Sequence, residues 1–338
     1  MVPFNWVLKV VVSAACVGFV AHAQPVLPSA QKASVQRESP RDPLTNAAAL
    51  YATYHGAASA VQTRGFSSAT DIDDSLRNLG GHNPQQLTAG WLAYSALIAS
   101  QNELYRVSVR DTESFYGREV FTTGLANDLG YARTLNGGNA AVLTSLSALE
   151  IDQRRLVNAA TFVKEQAYAL QGSSWAMRRV RNSSATANNL TASTRTGLPA
   201  HPDLREAFAS QNLEPLLAQA GKSGVSSVWD TISNAAAAVR IPDGMPVFSQ
   251  RTGITHNQEA IANRIATLAA YRIIGADTGS MIPMQRAMSD RTASGCVTMA
   301  NLNLQQCVAA AHKHYEVPFC IGQHALADIG QCFGQAPR

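Results

Sequence analysis

Nine positions between residues 142 and 170 constrain this chain more than any other feature. Val142, Leu146, Leu149, Gln153, Leu156, Ala160, Val163, Ala167 and Leu170 follow one another in alternating steps of four and three, and all but Gln153 are apolar. Such steps keep side chains on one face of an α-helix, so they predict a helix of about eight turns with an apolar stripe along its whole length. A stripe that long needs neighbouring helices to cover it. No stretch alternates apolar and polar residues between hairpin turns, and no repeat of fixed period is present. The expected fold is therefore all-α, an irregular helical bundle built around one long helix.

Other segments read the same way. Residues 47–64 lack proline and turn signals, and Gly80-Gly81-His82-Asn83-Pro84 then breaks the chain before a helix that starts at Pro84. Leu87, Trp91, Tyr94, Ile98, Gln101 and Tyr105 continue from there as a stripe interrupted only by Gln101. Residues 112–135 read as helical, with Gly137-Gly138 turning the chain back onto the long helix. Ile261, Ile265, Leu268 and Arg272, with Ala262, Ala266, Ala269 and Ile273 beside them, form a later stripe preceded by Asn257 and Gln258 as capping residues. Residues 182–202, rich in Ser, Thr, Asn and Ala, and residues 241–255 read as loops, the first also as a boundary between two helical subdomains.

The two ends of the chain point to export. Lys9 precedes an apolar run from Val10 that closes on Ala21-His22-Ala23, the small-x-small pattern of a signal-peptidase site. The run is shorter than the ~20 residues that span a bilayer. Cys16 has Ser13 three positions before it, where a lipobox carries a branched apolar residue. Residues 1–23 are thus expected to be a cleaved signal peptide and residues 24–43, with Pro25, Pro28, Pro40 and Pro43, a flexible tether. Residues 44–290 would form the bundle, and residues 291–338 a stapled segment packed on it.

Beyond residue 23 the cysteines are Cys296, Cys307, Cys320 and Cys332, an even number that in an exported chain reads as disulfides. A nested pairing suits an antiparallel helical hairpin turning near Val317 and Pro318, because 296 with 332 and 307 with 320 share nearly the same midpoint. Cys296 and Cys307 are eleven apart and share a helix face, whereas Cys320 and Cys332 are twelve apart and drift by about a third of a turn. Sequential pairing stays open. The segment resembles in outline the helical hairpins stapled by twin cysteine pairs, which implies a shared geometry and nothing about activity. With the bridges at one end, reduction is expected to loosen the last 43 residues and leave the long helix protected.

Chemistry is sparsely signalled. His-Glu-x-x-His, Gly-x-Ser-x-Gly, phosphate-loop and dinucleotide fingerprints are all absent, and no motif calls for a cofactor. Removing residues 1–23 takes away Lys9 alone, leaving 26 basic against 23 acidic side chains, too even a balance to indicate nucleic acid. Charged residues make up 15% of the chain against the ~25% usual for soluble proteins, so its surface should be neutral-polar.

Four loci carry the functional groups that remain. Glu113 with Glu119, or with Asp111, offers a carboxylate pair for acid–base cleavage of a glycan, provided it converges near aromatics such as Trp91, Tyr105 or Tyr116. Arg178, Arg179 and Arg181, near Trp175, offer a basic aromatic surface for an anionic envelope component. His312, His314 and His324 offer imidazoles to a metal, although two residues apart on a helix His312 and His314 diverge by about 200°. Gln153, in Glu150-Ile151-Asp152-Gln153-Arg154-Arg155, would place a polar group on the apolar seam and fix register. Together these features favour an exported protein of the bacterial cell envelope that binds or scaffolds an envelope protein or cell-wall component without catalysis. A periplasmic hydrolase using Glu113 and Glu119 is the alternative, and a metal or small-ligand carrier a third reading.

Overall fold

The long helix spans Gly138–Ala169 (α7), 32 residues or ~48 Å. A computed structural model of the chain describes residues 42–210, 212–232, 253–275 and 278–334. The expected signal peptide, most of the tether and the loop at 241–252 lie outside these residues. Every apolar member of the 142–170 stripe is buried, and Gln153 is half-buried. Gly137 in the left-handed conformation starts α7, so the glycine pair does reverse the chain.

The most enclosed helix, however, is Pro84–Ala99 (α3). From Gly90 to Ala99 every residue is buried, and the helix touches α7 as well as Pro43–Arg64 (α1), Glu259–Ile274 (α12) and Arg291–Ala310 (α14). A helix that is apolar or small on all sides has to be covered on all sides. Its closest neighbour is α1, and Gly90 explains how the two approach: a Cβ there would lie 2.5 Å from the Ala47 carbonyl oxygen. Asp42 caps α1 by accepting from Leu44 N–H at 2.9 Å, and Asn83 caps α3 by accepting from Gln86 N–H at 3.0 Å.

The stripe read from Leu87 to Tyr105 belongs to two helices. It breaks at residues 100–102, where Asn102 caps Glu103–Tyr116 (α4) by accepting from Tyr105 N–H. The helical reading of residues 112–135 breaks likewise, at Gly117, before Arg118–Asn127 (α5) and the short Tyr131–Thr134 (α6). Gln258 takes part in a capping box with Thr255 ahead of α12.

The loop expected at 182–202 is instead largely helix, Ser183–Thr196 (α8). Its apolar positions are few, but Ala187 and Leu190 are buried on the side of α14, Thr191 donates to Gln305 Oε1 at 2.9 Å and Ser183 donates to the Ala309 carbonyl. Tertiary packing overrides the weak helix propensity of its Ser, Thr and Asn residues.

α9 (Pro202–Ala209) and α11 (Ser226–Ile232) pack on α1, while α10 (Glu214–Ser223) packs on α7. Ala69–Gly80 (α2) and Met281–Ala287 (α13) complete the surroundings of the core. Among the described residues there is no β-strand, only one antiparallel bridge between Arg179 and Lys313.

Cys296 is bonded to Cys332 and Cys307 to Cys320, the nested arrangement. The hairpin turns at residues 311–315, a little before the expected point, and Pro318 sits inside the short α15 (Glu316–Cys320). The second arm continues as a π-helix over Ile321–Asp328 and ends in Ile329–Gly334 (α16). That π-helix removes the geometric objection to nested bridges. Twelve residues take about three and a third turns of α-helix, but hydrogen bonds from i to i+5 widen each turn and return Cys320 and Cys332 towards one face.

The second arm is no appendage. Gly322 and Gly330 lie against α7, where a Cβ on Gly322 would be 3.0 Å from the Ala160 carbonyl oxygen. Tyr54 donates to the Ala325 carbonyl at 2.5 Å, and Phe333 stacks on Trp91 with centroids 5.1 Å apart. One continuous core therefore holds residues from Leu44 to Phe333.

This packing changes what reduction should do. In the chain-entropy picture, bridges closing 13 and 36 residues contribute about 3 to 4 kcal/mol each. Because the arm they hold completes the core over α7, we expect reduction to lower the stability of the whole bundle, with amide protection lost in α7 as well as in residues 291–334. Hydrogen exchange with and without reductant measures this, and full protection of residues 142–170 after reduction would show the arm to be independent.

Candidate binding surface at the C-terminal hairpin

Two loci far apart in the sequence meet at the hairpin turn. After α7 a short 3-10 turn, Leu170–Gly172, leads through Trp175 and the buried Ala176 into an irregular segment holding Arg178, Arg179 and Arg181. This segment pairs antiparallel with residues 312–315: Tyr315 N–H donates to the Ala176 carbonyl at 3.2 Å, His314 N–H to Arg178 at 3.3 Å, and Val180 N–H to His312 at 3.0 Å. Asn182, left-handed at φ 57°, then turns the chain into α8. Arg178, Arg179, Arg181 and His312 are exposed, with Lys313 and His314 half-buried beside them. The Trp175 and His314 rings lie 6.5 Å apart. The one carboxylate on the turn, Glu316, accepts the N–H groups of His312 at 2.6 Å and Lys313 at 3.3 Å, so it holds the turn's backbone.

The same turn borders an apolar groove of about 260 Å³ between the end of α7, the end of α14 and α15. Ala167, Tyr168, Ala310, Ala311, Tyr315 and Phe319 line it together with the Cys307–Cys320 bridge, and Gln171 and Glu316 supply its polar rim. Tyr168 is 64% exposed and Phe319 40%, unusual for large rings in a chain with a well-filled core. Tyr315 joins the two features, since its ring lines the groove while its backbone pairs with the arginine segment. An exposed cationic ridge beside an aromatic groove can hold an anionic partner that also offers apolar surface. Lys313, Tyr168, Tyr315 and Phe319 went unread in the sequence, because only the pairing of residues 178–180 with 312–314 places them beside the arginines.

The remaining loci do not join this surface. Glu113 is bound to Arg118 Nε at 2.9 Å, and Arg118 in turn donates to the carbonyls of Ile274 and Gly275 at the end of α12. Glu119 stands exposed in the first turn of α5, and Asp111 is exposed on α4. Trp91 and Tyr105, the aromatics expected to flank a glycan cleft, lie wholly in the core, so they cannot line one with this pair. His324 Nδ1 lies 2.8 Å from Asp328 Oδ2 on the π-helix, away from the other two histidines in sequence and partnered locally. Among the described residues, no group of three or more His, Cys, Asp or Glu side chains is arranged to hold a metal ion.

The ionisable residue that α7 buries completely is Asp152, the neighbour of Gln153. Gln153 instead faces Gly334 at the chain's C-terminal arm. Asp152 Oδ1 accepts Val225 N–H at 2.7 Å, Oδ2 lies 3.5 Å from the Tyr51 hydroxyl, and Gly224, at φ +80°, lets the backbone come this close. Arg155 is 3.4 Å from Asp230, whose other oxygen accepts from Ser59 at 3.3 Å. These contacts tie residues 224–230 to α7 and α1. Burial raises the Asp152 pKa to about 8 against the pull of Val225 N–H and Arg155. His55, fully buried between Tyr51 and Tyr54, is lowered to about 3 by burial and then by Arg155, and neither of its ring nitrogens has a hydrogen-bond partner among the described residues.

No known protein family, curated protein or solved structure matches the chain.

The buried carboxyl sets a pH dependence with a definite sign. A folded pKa above the unfolded value means that the stability present below about pH 4 is lost as pH rises through about 8. His55 acts in the opposite sense, its contribution being present above about pH 6.5 and lost as pH falls towards 3. Asp152→Asn keeps an acceptor for Val225 N–H and removes the ionisation. We expect the variant to gain on the wild type by up to about 5 kcal/mol between pH 5 and 9 in urea unfolding. Parallel pH profiles would show that Asp152 does not ionise differently in the folded chain.

Proposed function

We propose that this chain is an exported protein of the bacterial cell envelope that binds an anionic cell-wall component without catalysis, using the ridge of Arg178, Arg179, Arg181 and Lys313 and the aromatic groove beside it. The pairing of residues 178–180 with 312–314 carries this reading, since it brings three arginines beside Lys313 at a turn that borders the aromatic groove. Export is supported by the signal-like residues 1–23 and by the two disulfides, which form in oxidising compartments. No helix among the described residues is long and apolar enough to cross a membrane. The ridge is rigid for an interaction surface, because its backbone is hydrogen-bonded to a hairpin that is itself stapled, so little ordering accompanies binding.

Co-sedimentation of the oxidised protein with purified sacculi tests the proposal. Retention is expected, weakening as salt rises, without release of soluble fragments detectable by mass spectrometry. Substituting Arg178, Arg179 and Arg181 together by Gln should reduce retention about tenfold or more while leaving the helical circular dichroism unchanged. Retention unaffected by the triple substitution would remove the ridge from the reading, and released fragments would replace binding with hydrolysis.

A further inference from the structure

A second pocket opens where three helix ends meet. Gln85, Thr88 and Ala89, spaced so that they share one face of α3, form one wall. Gln285, Met288 and Ser289 repeat that spacing at the end of α13 and just beyond it, and Asp290 and Ser294 at the start of α14 close the third side. The pocket holds about 250 Å³, just under the ~300 Å³ at which sites for drug-sized ligands begin, so it suits one ring and not a chain. It lies apart from the aromatic groove, since residues 294 and 307 are ~20 Å apart along α14. Thr88 distinguishes it from a surface dimple: the residue is 1% exposed, yet its hydroxyl has no hydrogen-bond partner among the described residues. A hydroxyl shut away from bulk water costs free energy until it is paired, and native chains seldom leave one so without a use.

The lining selects the ligand. Its one ionisable residue among those described is Asp290, whose Oδ1 accepts Ala293 N–H at 2.8 Å while Oδ2 lies 3.4 Å from Arg264 Nε. This carboxylate is already balanced, and no described Lys or Arg lines the pocket, so a charged ligand finds nothing to pair with. What remains are the amides of Gln85 and Gln285 and the hydroxyls of Thr88, Ser289 and Ser294, groups that both donate and accept, beside apolar surface from Ala89 and Met288. Gln85, Gln285 and Ser289 make no side-chain hydrogen bond among the described residues, so a ligand breaks none by engaging them. Adjacent ring hydroxyls, which also donate and accept, together with a C–H face match that set. A peptide unit, with a single donor and a single acceptor, would leave most of it unpaired. We propose that this pocket binds an uncharged sugar residue, at a site separate from the cationic ridge and independent of the reading given for it.

Titration of the oxidised full chain with methyl glucoside, followed through amide chemical shifts, tests this. Shifts are expected in residues 85–89 and 285–294, and not in residues 312–319 beside the groove. Methyl glucuronide, the same ring carrying a carboxylate, should bind at least about tenfold more weakly beside Asp290. Gln285→Ala with Ser289→Ala should raise the Kd about tenfold or more without a change in Tm, since both side chains are exposed and hold no partner that the fold needs. Thr88→Val, nearly identical in shape, should raise the Kd about threefold or more while Tm stays or rises, whereas a merely structural hydroxyl would lower Tm and leave the Kd alone. The proposal is overturned if the glucoside shifts none of these residues at any soluble concentration, if the glucuronide binds as tightly, or if either variant keeps the wild-type Kd. Shifts produced by N-acetylglycinamide but not by the glucoside would also overturn it and make the pocket a peptide site.

Discussion

The arrangement rests on the return of the C-terminal arm into the bundle. Phe333 stacks on Trp91 and lies 5.8 Å from Tyr51 edge to face, while Tyr54 donates to a carbonyl of the π-helix. Without this arm, α7 would show part of its apolar stripe to water, and α1 and α3 would lose the ring that fills the space between them. Disulfides at both levels of the hairpin hold the arm's two ends to α14. The hairpin turn then stands where the segment after α7 can pair with it, so the cationic ridge follows from the closing of the core.

A second constraint is polar. Asp152, Tyr51, Arg155, Asp230 and Ser59 join α7 and α1 to the backbone of residues 224–230. A buried carboxyl costs stability when charged, so such a group is more often retained for register than for strength. Here it fixes where α11 begins, through one backbone N–H and a glycine that admits the contact. His55 beside it has no comparable partner among the described residues.

Much of this was legible from residue order. Steps of three and four located α7, α3 and α12 because each stripe faces a continuous neighbour, and the cysteine midpoints indicated the nested bridges because a hairpin is a local, symmetric object. What failed had physical causes. α8 carries few apolar residues and depends on α14 for its helicity. The break at residues 100–102 keeps a three-and-four rhythm across two helices, so periodicity alone does not reveal it. The seam polarity was placed on Gln153, which is half-buried, when the ionisable residue wholly enclosed is Asp152, one position and about 100° away. Periodicity also gave no sign that Leu104, Val107 and Phe115 face outward, since an apolar stripe looks the same whether it meets the core or the solvent. The ridge was read as two unrelated basic and histidine clusters, because nothing local in the sequence indicates that residues 178–180 pair with 312–314.

That pairing ties the surface to the history of the chain. Synthesis delivers residues 178–181 well before residues 312–315, and the later segment belongs to the stapled hairpin. A chain truncated before the hairpin, or one with its thiols mispaired, keeps its three arginines yet lacks the backbone partner that aligns them. The shape of the ridge, unlike its charge, is in this sense complete only in the finished and correctly bridged molecule.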